Sequence, residues 1–206
     1  MKRFFFIMLA LIIMALLVWK FVFKKTKKPS GPEPVGMTVS KHSEDFNASM
    51  IKMVDAYYGL TEAFVNWDTV SVNRNAATLK TSVDSLKLQE MQKDTAIYPT
   101  VQSQWEMVKT EIEGLINDED LGEKRESLNM LSQQIFDLLR IIKYDAAKVY
   151  YQECPMALNN YETSGYWLSN EAADEKRRNP YLGLHDPKYN KAMLTCGTTR
   201  DSIRTN

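Results

Sequence analysis

Residues 46–64 read FNASMIKMVDAYYGLTEAF, and this stretch decides the fold class. Its large apolar side chains recur at alternating spacings of three and four residues, which places them along one face of an α-helix. These positions are Phe46, Met50, Met53, Tyr57, Leu60 and Phe64. The stretch therefore predicts an amphipathic helix that buries this face.

The same periodicity returns three times farther along the chain. N-cap signals at residues 66–68 and 93–95 and a polar turn at 117–120 separate the segments, and the connections are short enough to make neighbouring helices antiparallel. We therefore predict an all-α fold, with an antiparallel four-helix bundle over residues 40–146. The three further apolar repeats cover residues 72–86, 98–115 and 128–142.

An apolar run stands near the start of the chain. Residues 4–23 supply about 20 positions, roughly enough to cross 30 Å of hydrocarbon as a helix. The run lacks a small-x-small cleavage site and a cysteine for a lipid, so residues 1–28 are predicted to form one transmembrane signal anchor with a basic flank. The anchor would hold the chain in a lipid bilayer, which the family resemblance described below identifies as the inner membrane. Residues 29–39 hold three prolines and two glycines and predict an extended linker.

Residues 147–206 differ from the bundle, since they are rich in aromatic residues, Asn, Pro and Gly and lack helical periodicity. We predict an irregular, loop-rich tail packed on the bundle. Its two cysteines, Cys154 and Cys196, each have a methionine nearby, Met156 and Met193. Two thiolates and two thioethers would form a metal site that selects Cu(I). The alternative is a Cys154–Cys196 disulfide, worth roughly 4 kcal/mol of stability in the chain-entropy model.

Charge and motifs argue against several other functions. The 26 Lys and Arg residues balance 26 Asp and Glu residues, so no basic field exists to attract a nucleic acid. Cys154, His185 and Asp186 have the residue types of a nucleophilic triad, but nothing in the sequence brings them together. A glycine-rich phosphate loop is also missing. The chain is therefore predicted not to be an enzyme and not to bind nucleic acid.

Four short blocks of the tail carry a family resemblance. In their order and spacing they resemble the uncharacterised helical domain, a domain of unknown function, that is often fused to the C-terminus of heavy-metal efflux periplasmic adaptor subunits. The preceding helices, including Arg125-Glu126, resemble the bundle of the same family. The blocks are YYQECPMA at 150–157, YWLSN at 166–170, RNPYLG at 178–183 and MLTCG at 193–197.

The resemblance implies a helical domain outside the bacterial inner membrane that handles copper or a related metal. It makes efflux-system components the expected partners. The matching candidate ligands are Cys154, Met156, Met193 and Cys196. Where the family often has histidine, this chain has Glu153 and Ser127.

Two points stay open at the level of the sequence. Four lysines at residues 24–28 follow the apolar run, and the positive-inside rule would by itself keep the domain in the cytoplasm, against the periplasmic location that the resemblance implies. The function is either a membrane-anchored, Cu(I)-binding accessory related to heavy-metal efflux or a non-catalytic structural or interaction module. In the second case a Cys154–Cys196 disulfide staples the tail.

Overall fold

Four α-helices follow one another in the computed structural model, which describes residues 41–204. Each helix packs against the next one in sequence, and a short 3-10 helix, Leu88–Lys93, lies between the second and the third. The predicted helical bundle is therefore confirmed. The helices are α1 (Glu44–Val65), α2 (Thr69–Asp84), α3 (Tyr98–Asn117) and α4 (Leu121–Ile141).

Capping side chains define where three of the helices begin. Ser43, Asp68 and Asp120 stand at the N-caps of α1, α2 and α4, and each accepts a hydrogen bond from a backbone N–H in the first turn. Such a cap contributes about 1 kcal/mol to helix stability. Helix α3 has no side-chain cap and instead carries Pro99 in its first turn, where a missing N–H costs nothing.

The predicted apolar faces form the core of the bundle. All six of the apolar positions quoted for residues 46–64 are fully buried. Each large buried side chain gains roughly 1.5–3 kcal/mol from its transfer out of water, before conformational entropy is counted. Their counterparts on α3 and α4 are buried as well: Val101, Val108, Ile112, Leu115, Leu128, Leu131, Ile135 and Leu138.

The C-terminal region forms a β-sheet, so the predicted all-α fold with an irregular tail was wrong. Strands β1 (Val149–Leu158), β2 (Thr163–Ser169) and β3 (Thr198–Ile203) pair antiparallel in the order β2-β1-β3. Loops with two short 3-10 helices connect β2 to β3. The described fold is therefore α+β, a four-helix bundle followed by a small antiparallel sheet.

Burial on both sides of β1 explains why the strand pattern is absent from the sequence. Gln152, Glu153 and Cys154 are consecutive and all buried. The ring of Tyr151 stacks on Phe136 of α4 at a centroid distance of 4.5 Å, whereas the side chain of Gln152 bonds to the loop between β2 and β3. A strand that is covered on both faces has no solvated face, so its sequence does not alternate between polar and apolar residues.

Helix side chains close the outer edge of β2. The backbone N–H of Tyr166 donates to Asn129 Oδ1 at 2.8 Å, and that of Leu168 donates to the hydroxyl of Tyr57 at 3.1 Å. The Tyr57 hydroxyl also bonds to Ser132 Oγ at 2.7 Å. These bonds satisfy edge N–H groups that would otherwise be buried without partners, and they seat the sheet on α1 and α4.

The predicted anchor at residues 1–28 and the linker at 29–39 lie outside the described residues. Within residues 41–204, no helix has the length and apolar character needed to cross a membrane.

Candidate functional site

A disulfide joins Cys154 of β1 to Cys196 in the turn before β3. Their Cα atoms are 5.6 Å apart, and the two residues are 42 positions apart in sequence. Cys154 is fully buried and Cys196 is half-buried. The bond closes the loop that leaves β2 and returns to the sheet as β3, so it ties the central strand to the start of an edge strand.

The two predicted thioether ligands lie close to the disulfide along the chain. Met156 follows Cys154 by two residues in β1, and Met193 ends a 3-10 helix whose last carbonyl accepts a hydrogen bond from the N–H of Cys196 at 3.0 Å. Both methionines are half-buried and pack against the core. The structure thus joins the two cysteines covalently and places Met193 one turn from Cys196.

The oxidised sulfurs do not fit a thiolate-bound Cu(I) ion. Thiolates are the cysteine form that ligates metals, and the disulfide uses both of them. Over residues 41–204, no group of three His, Cys, Asp or Glu side chains is arranged to hold a metal ion. Of the two histidines, His185 is exposed, whereas the ring of His42 bonds to Glu90 and to the carbonyl of Ile142.

A buried arginine fixes the turn that carries Cys196. Arg177 is only 2% exposed, and its Nε donates to Gln152 Oε1 at 3.0 Å. Its Nη1 donates to the carbonyl oxygens of Thr195 and Gly197, at 3.3 and 2.7 Å. These two carbonyls flank Cys196, so the guanidinium connects both sides of the half-cystine to β1.

Asn179 adds a second clamp on the same turn. It is fully buried, its Nδ2 donates to the carbonyl of Cys196 at 3.1 Å, and its backbone N–H donates to the carbonyl of Leu194 at 2.8 Å. The side-chain oxygen accepts from the N–H groups of Tyr181 and Leu182. One asparagine therefore organises the loop and binds it to the Cys196 turn.

Only glycine fits the position after Cys196. Gly197 has a φ of +136°, and a Cβ there would lie 2.6 Å from the carbonyl oxygen of Glu153. The absence of a side chain therefore lets the turn approach β1 closely enough for the disulfide to form.

Glu153 is buried beside the disulfide and is fully partnered. Its carboxylate pairs with Arg200 of β3 and accepts hydrogen bonds from Ser164 Oγ at 2.7 Å and Tyr166 Oη at 3.2 Å. The bond from Arg200 is the main cause that lowers the pKa of Glu153 below its ordinary value of 4.5, and burial opposes it. A charged carboxylate thus joins all three strands.

The clamp residue Arg177 is the part of this site that sequence reasoning missed. It stands in the run DEKRRN, residues 174–179, which is typical of an exposed loop. Only the folded loop shows that one of its two adjacent arginines points inward. No local signal distinguishes Arg177 from the exposed Arg178.

Comparison with known proteins identifies one family model. Residues 53–146 match a family described as "Protein of unknown function (DUF3347)". The match covers most of α1 and all of α2, α3 and α4, and it ends before β1. This agrees with the predicted resemblance to an uncharacterised domain, whereas the link to heavy-metal efflux adaptors stays a prediction. No curated protein and no solved structure matches the chain.

Proposed function

We propose that this chain is a non-catalytic structural or interaction module of the bacterial envelope, with a C-terminal sheet that a disulfide holds in place. The single observation that carries the proposal is the Cys154–Cys196 bond. Disulfides form and persist in oxidising compartments such as the bacterial periplasm. In this proposal the described domain works on the periplasmic side of the inner membrane, and residues 4–23 hold it there.

The arrangement around the disulfide supports a structural role for the bond. Arg177, Asn179 and Gly197 all serve to bring the Cys196 turn onto β1. The loop that the bond closes contains few regular elements, and the chain-entropy model gives a loop of this length roughly 4 kcal/mol of stabilisation.

The state of the two cysteines also supports a non-catalytic role. Cys154, whose residue type suits the nucleophile of a triad with His185 and Asp186, is buried and oxidised. Asp186 accepts hydrogen bonds from Tyr161 and from backbone N–H groups. The proposal therefore assigns function to the surfaces of the module.

Thiol trapping tests the proposal directly. The full chain is alkylated with a maleimide in denaturant during lysis of its bacterial host, so that the buried Cys154 is accessible, and the intact mass is measured with and without prior reduction. We expect no label before reduction and two labels after it. The variant Cys154→Ser is the control and takes up one label without reduction. Two labels on the unreduced wild-type chain would contradict the proposal.

A copper-handling accessory associated with heavy-metal efflux is the second candidate function. The observation that favours it is the position of Met193, whose carbonyl accepts from the N–H of Cys196, itself bonded to Cys154. Reduction would free both cysteines, with Met193 three residues from Cys196 and Met156 two residues from Cys154. Such a soft donor set would take Cu(I) only in the reduced state.

A Cu(I) titration against a competing chelator tests the second candidate. The reduced full chain is expected to bind one Cu(I), and Cys154→Ser or Cys196→Ser is expected to weaken binding strongly. His42→Ala is the matched control and leaves the affinity unchanged. If both cysteine variants bind Cu(I) with the affinity of the wild type, the copper-handling function is ruled out.

A further inference from the structure

A cleft of about 360 Å³ lies between the first turns of α4 and the turn that joins β1 to β2. Its walls include Arg125, Glu126, Asn160, Tyr161 and Asp186. None of the four sulfur residues of the candidate site contributes to its lining. The cleft is therefore a separate feature from the disulfide region.

One arginine of this cleft is stacked and almost fully buried. Arg125 is 8% exposed, and its Cζ lies 3.9 Å from the centroid of the Trp67 ring. The indole is itself held, because its Nε1 donates to the carbonyl of Leu182 at 3.0 Å. The stacking fixes the plane of the guanidinium, and the attraction between the cation and the ring is stronger at a desolvated site than at an exposed one.

Two donors of this guanidinium have no hydrogen-bond partner among residues 41–204. Nε and Nη2 of Arg125 are buried, and neither makes a hydrogen bond. Burial lowers the pKa of Arg125 to about 10, so the group still carries its charge at neutral pH. A buried charge whose donors are unpaired is costly and rare in a folded protein, and at a cleft it indicates a missing acceptor.

The carboxylate of Asp186 does not supply that acceptor. Asp186 is 5% exposed, and its charge opposes the lowering of the Arg125 pKa. Its Oδ1 accepts from the backbone N–H groups of Lys188 at 3.0 Å and Tyr189 at 2.7 Å, and its Oδ2 accepts from the Tyr161 hydroxyl at 3.2 Å. Asp186 thus places a negative charge near Arg125 but accepts no hydrogen bond from its Nε or Nη2.

The backbone at the rim of the cleft is strained. Asn159, Asn160 and Tyr161 are consecutive and have left-handed φ angles of 51°, 56° and 72°. Asparagine tolerates this conformation, whereas for tyrosine it is unfavourable. Strain of this kind persists where the fold must present particular groups, and it is common at ligand sites.

We propose that the Arg125 cleft binds the carboxylate group of a small organic acid. Nε–H and Nη2–H are adjacent donors that point in parallel, and a planar carboxylate accepts from such a pair with both oxygens. Seating the ligand requires the guanidinium to slide along the indole toward the cleft, and this movement breaks no hydrogen bond of Nε or Nη2. The cleft is within the usual size range of small-molecule sites, roughly 300–1,000 Å³.

The surrounding charges favour a monoanion over a phosphate dianion. Asp186 and Glu126 both line the cleft, and both would repel a second negative charge. Leu158 and Pro187 add apolar wall for a short hydrocarbon portion. None of the four sulfur residues lines this site, and the proposal goes beyond the function proposed above.

Propionate is the probe for this site. The full chain, labelled with ¹⁵N and kept in a mild detergent, is titrated with sodium propionate at an ionic strength held constant with sodium chloride. We expect the indole N–H signal of Trp67, identified from its loss in Trp67→Phe, to shift in a saturable manner. Sodium phosphate in a parallel titration is expected to produce a much weaker response.

Three arginine variants decide whether the effect belongs to Arg125. Arg125→Met is expected to weaken propionate binding about tenfold or more, and Arg125→Lys several-fold, because lysine keeps the charge but loses the parallel donors. Arg74→Met, which removes an exposed arginine of α2, should bind as the wild type does. The unfolding temperature of Arg125→Met should be at most about 3 °C below that of the wild type, because the substitution removes an unpaired buried charge.

Three outcomes would overturn the proposal. The first is that Arg125→Met binds propionate with the affinity of the wild type. If Arg125→Met does not fold, the same result for Arg125→Lys counts instead. Another is a saturable response to phosphate with none to propionate, which would identify a phosphate site. The third is the absence of a saturable response to either anion.

Discussion

Arg177 and Arg178 are neighbours in the sequence and illustrate how much the surroundings of a side chain determine its role. Arg177 is buried and donates to Gln152, to two carbonyl oxygens of the Cys196 turn and to Asp174. Arg178 is exposed and pairs with Glu62 of α1. Both arginines link the loop to the rest of the fold, but only the Arg177 side chain is shielded from water. Substitutions at the two positions are therefore expected to change the free energy of unfolding by different amounts.

Arg177→Met is expected to lower the free energy of unfolding by about 3 kcal/mol or more. The substitution takes the Arg177 donors away from two partly buried carbonyl oxygens and leaves Gln152 Oε1 with only Thr199 Oγ1 as a donor. Each unpaired buried group costs about 1–3 kcal/mol. Arg178→Met removes an exposed ion pair and should cost less than about 1 kcal/mol. Urea denaturation of the two variants measures the contrast. Equal losses in both would show that Arg177 does not clamp the Cys196 turn.

Glu153 makes stability depend on acidity. The bond from Arg200 holds the pKa of Glu153 below its ordinary value of 4.5, so the charged form is bound more favourably in the folded chain. Its contribution is fully present above pH 4.5 and is lost as the pH falls through the lower folded-state pKa. Glu153→Gln should therefore be less stable than the wild type at pH 7, with the difference shrinking below pH 4.5.

Urea unfolding of both proteins at several pH values between about 3 and 7 measures this difference. Arg200→Met removes the main partner of the carboxylate and should reduce the difference in the same pH range. A wild-type advantage over Glu153→Gln that stays constant across the series would contradict the role given to this ion pair.

At the scale of elements, the helices were predictable and the strands were not. Phe46, Tyr57 and Phe64 recur with the period of a helix because one face of α1 is buried and the other is wet. In β1, the polar Gln152 and Glu153 are buried together because partners come from other elements far along the chain. Pro155 within the strand and the irregular register after Cys154 obscure the pattern further. A period-2 signal needs one solvated face, and β1 has none.

Tyr57→Phe tests how the sheet is attached to the helices. Loss of the hydroxyl leaves the N–H of Leu168 and Ser132 Oγ without this partner in a buried position, which is expected to cost about 2 kcal/mol. Tyr98→Phe removes a hydroxyl at an exposed bond to Gln92 and should change stability by less than about 0.5 kcal/mol. Thermal unfolding compares the two. No difference between them would show that the Tyr57 hydroxyl does not seat β2.

At the scale of the whole molecule, the candidate site could be located from the sequence but its clamp could not. The pairs of sulfur residues pointed to the tail, and the choice between thiolate ligands and a disulfide stayed open because spacing alone does not decide it. Arg177 and the cleft around Arg125 depend on contacts between residues separated by 18 or more positions, such as Arg177 with Thr195 and Trp67 with Leu182. The local amino-acid composition does not indicate these contacts.

The most direct test of the disulfide-held module is the unfolding temperature of the full chain as isolated and after reduction, measured beside Cys154→Ala/Cys196→Ala. Closing the loop between these cysteines stabilises the fold by about 4 kcal/mol in the chain-entropy model, which corresponds to about 10 °C for a domain of this size. We predict a drop of this order for the wild type on reduction and no change for the double variant. A wild-type chain whose unfolding temperature does not respond to reduction would contradict the account.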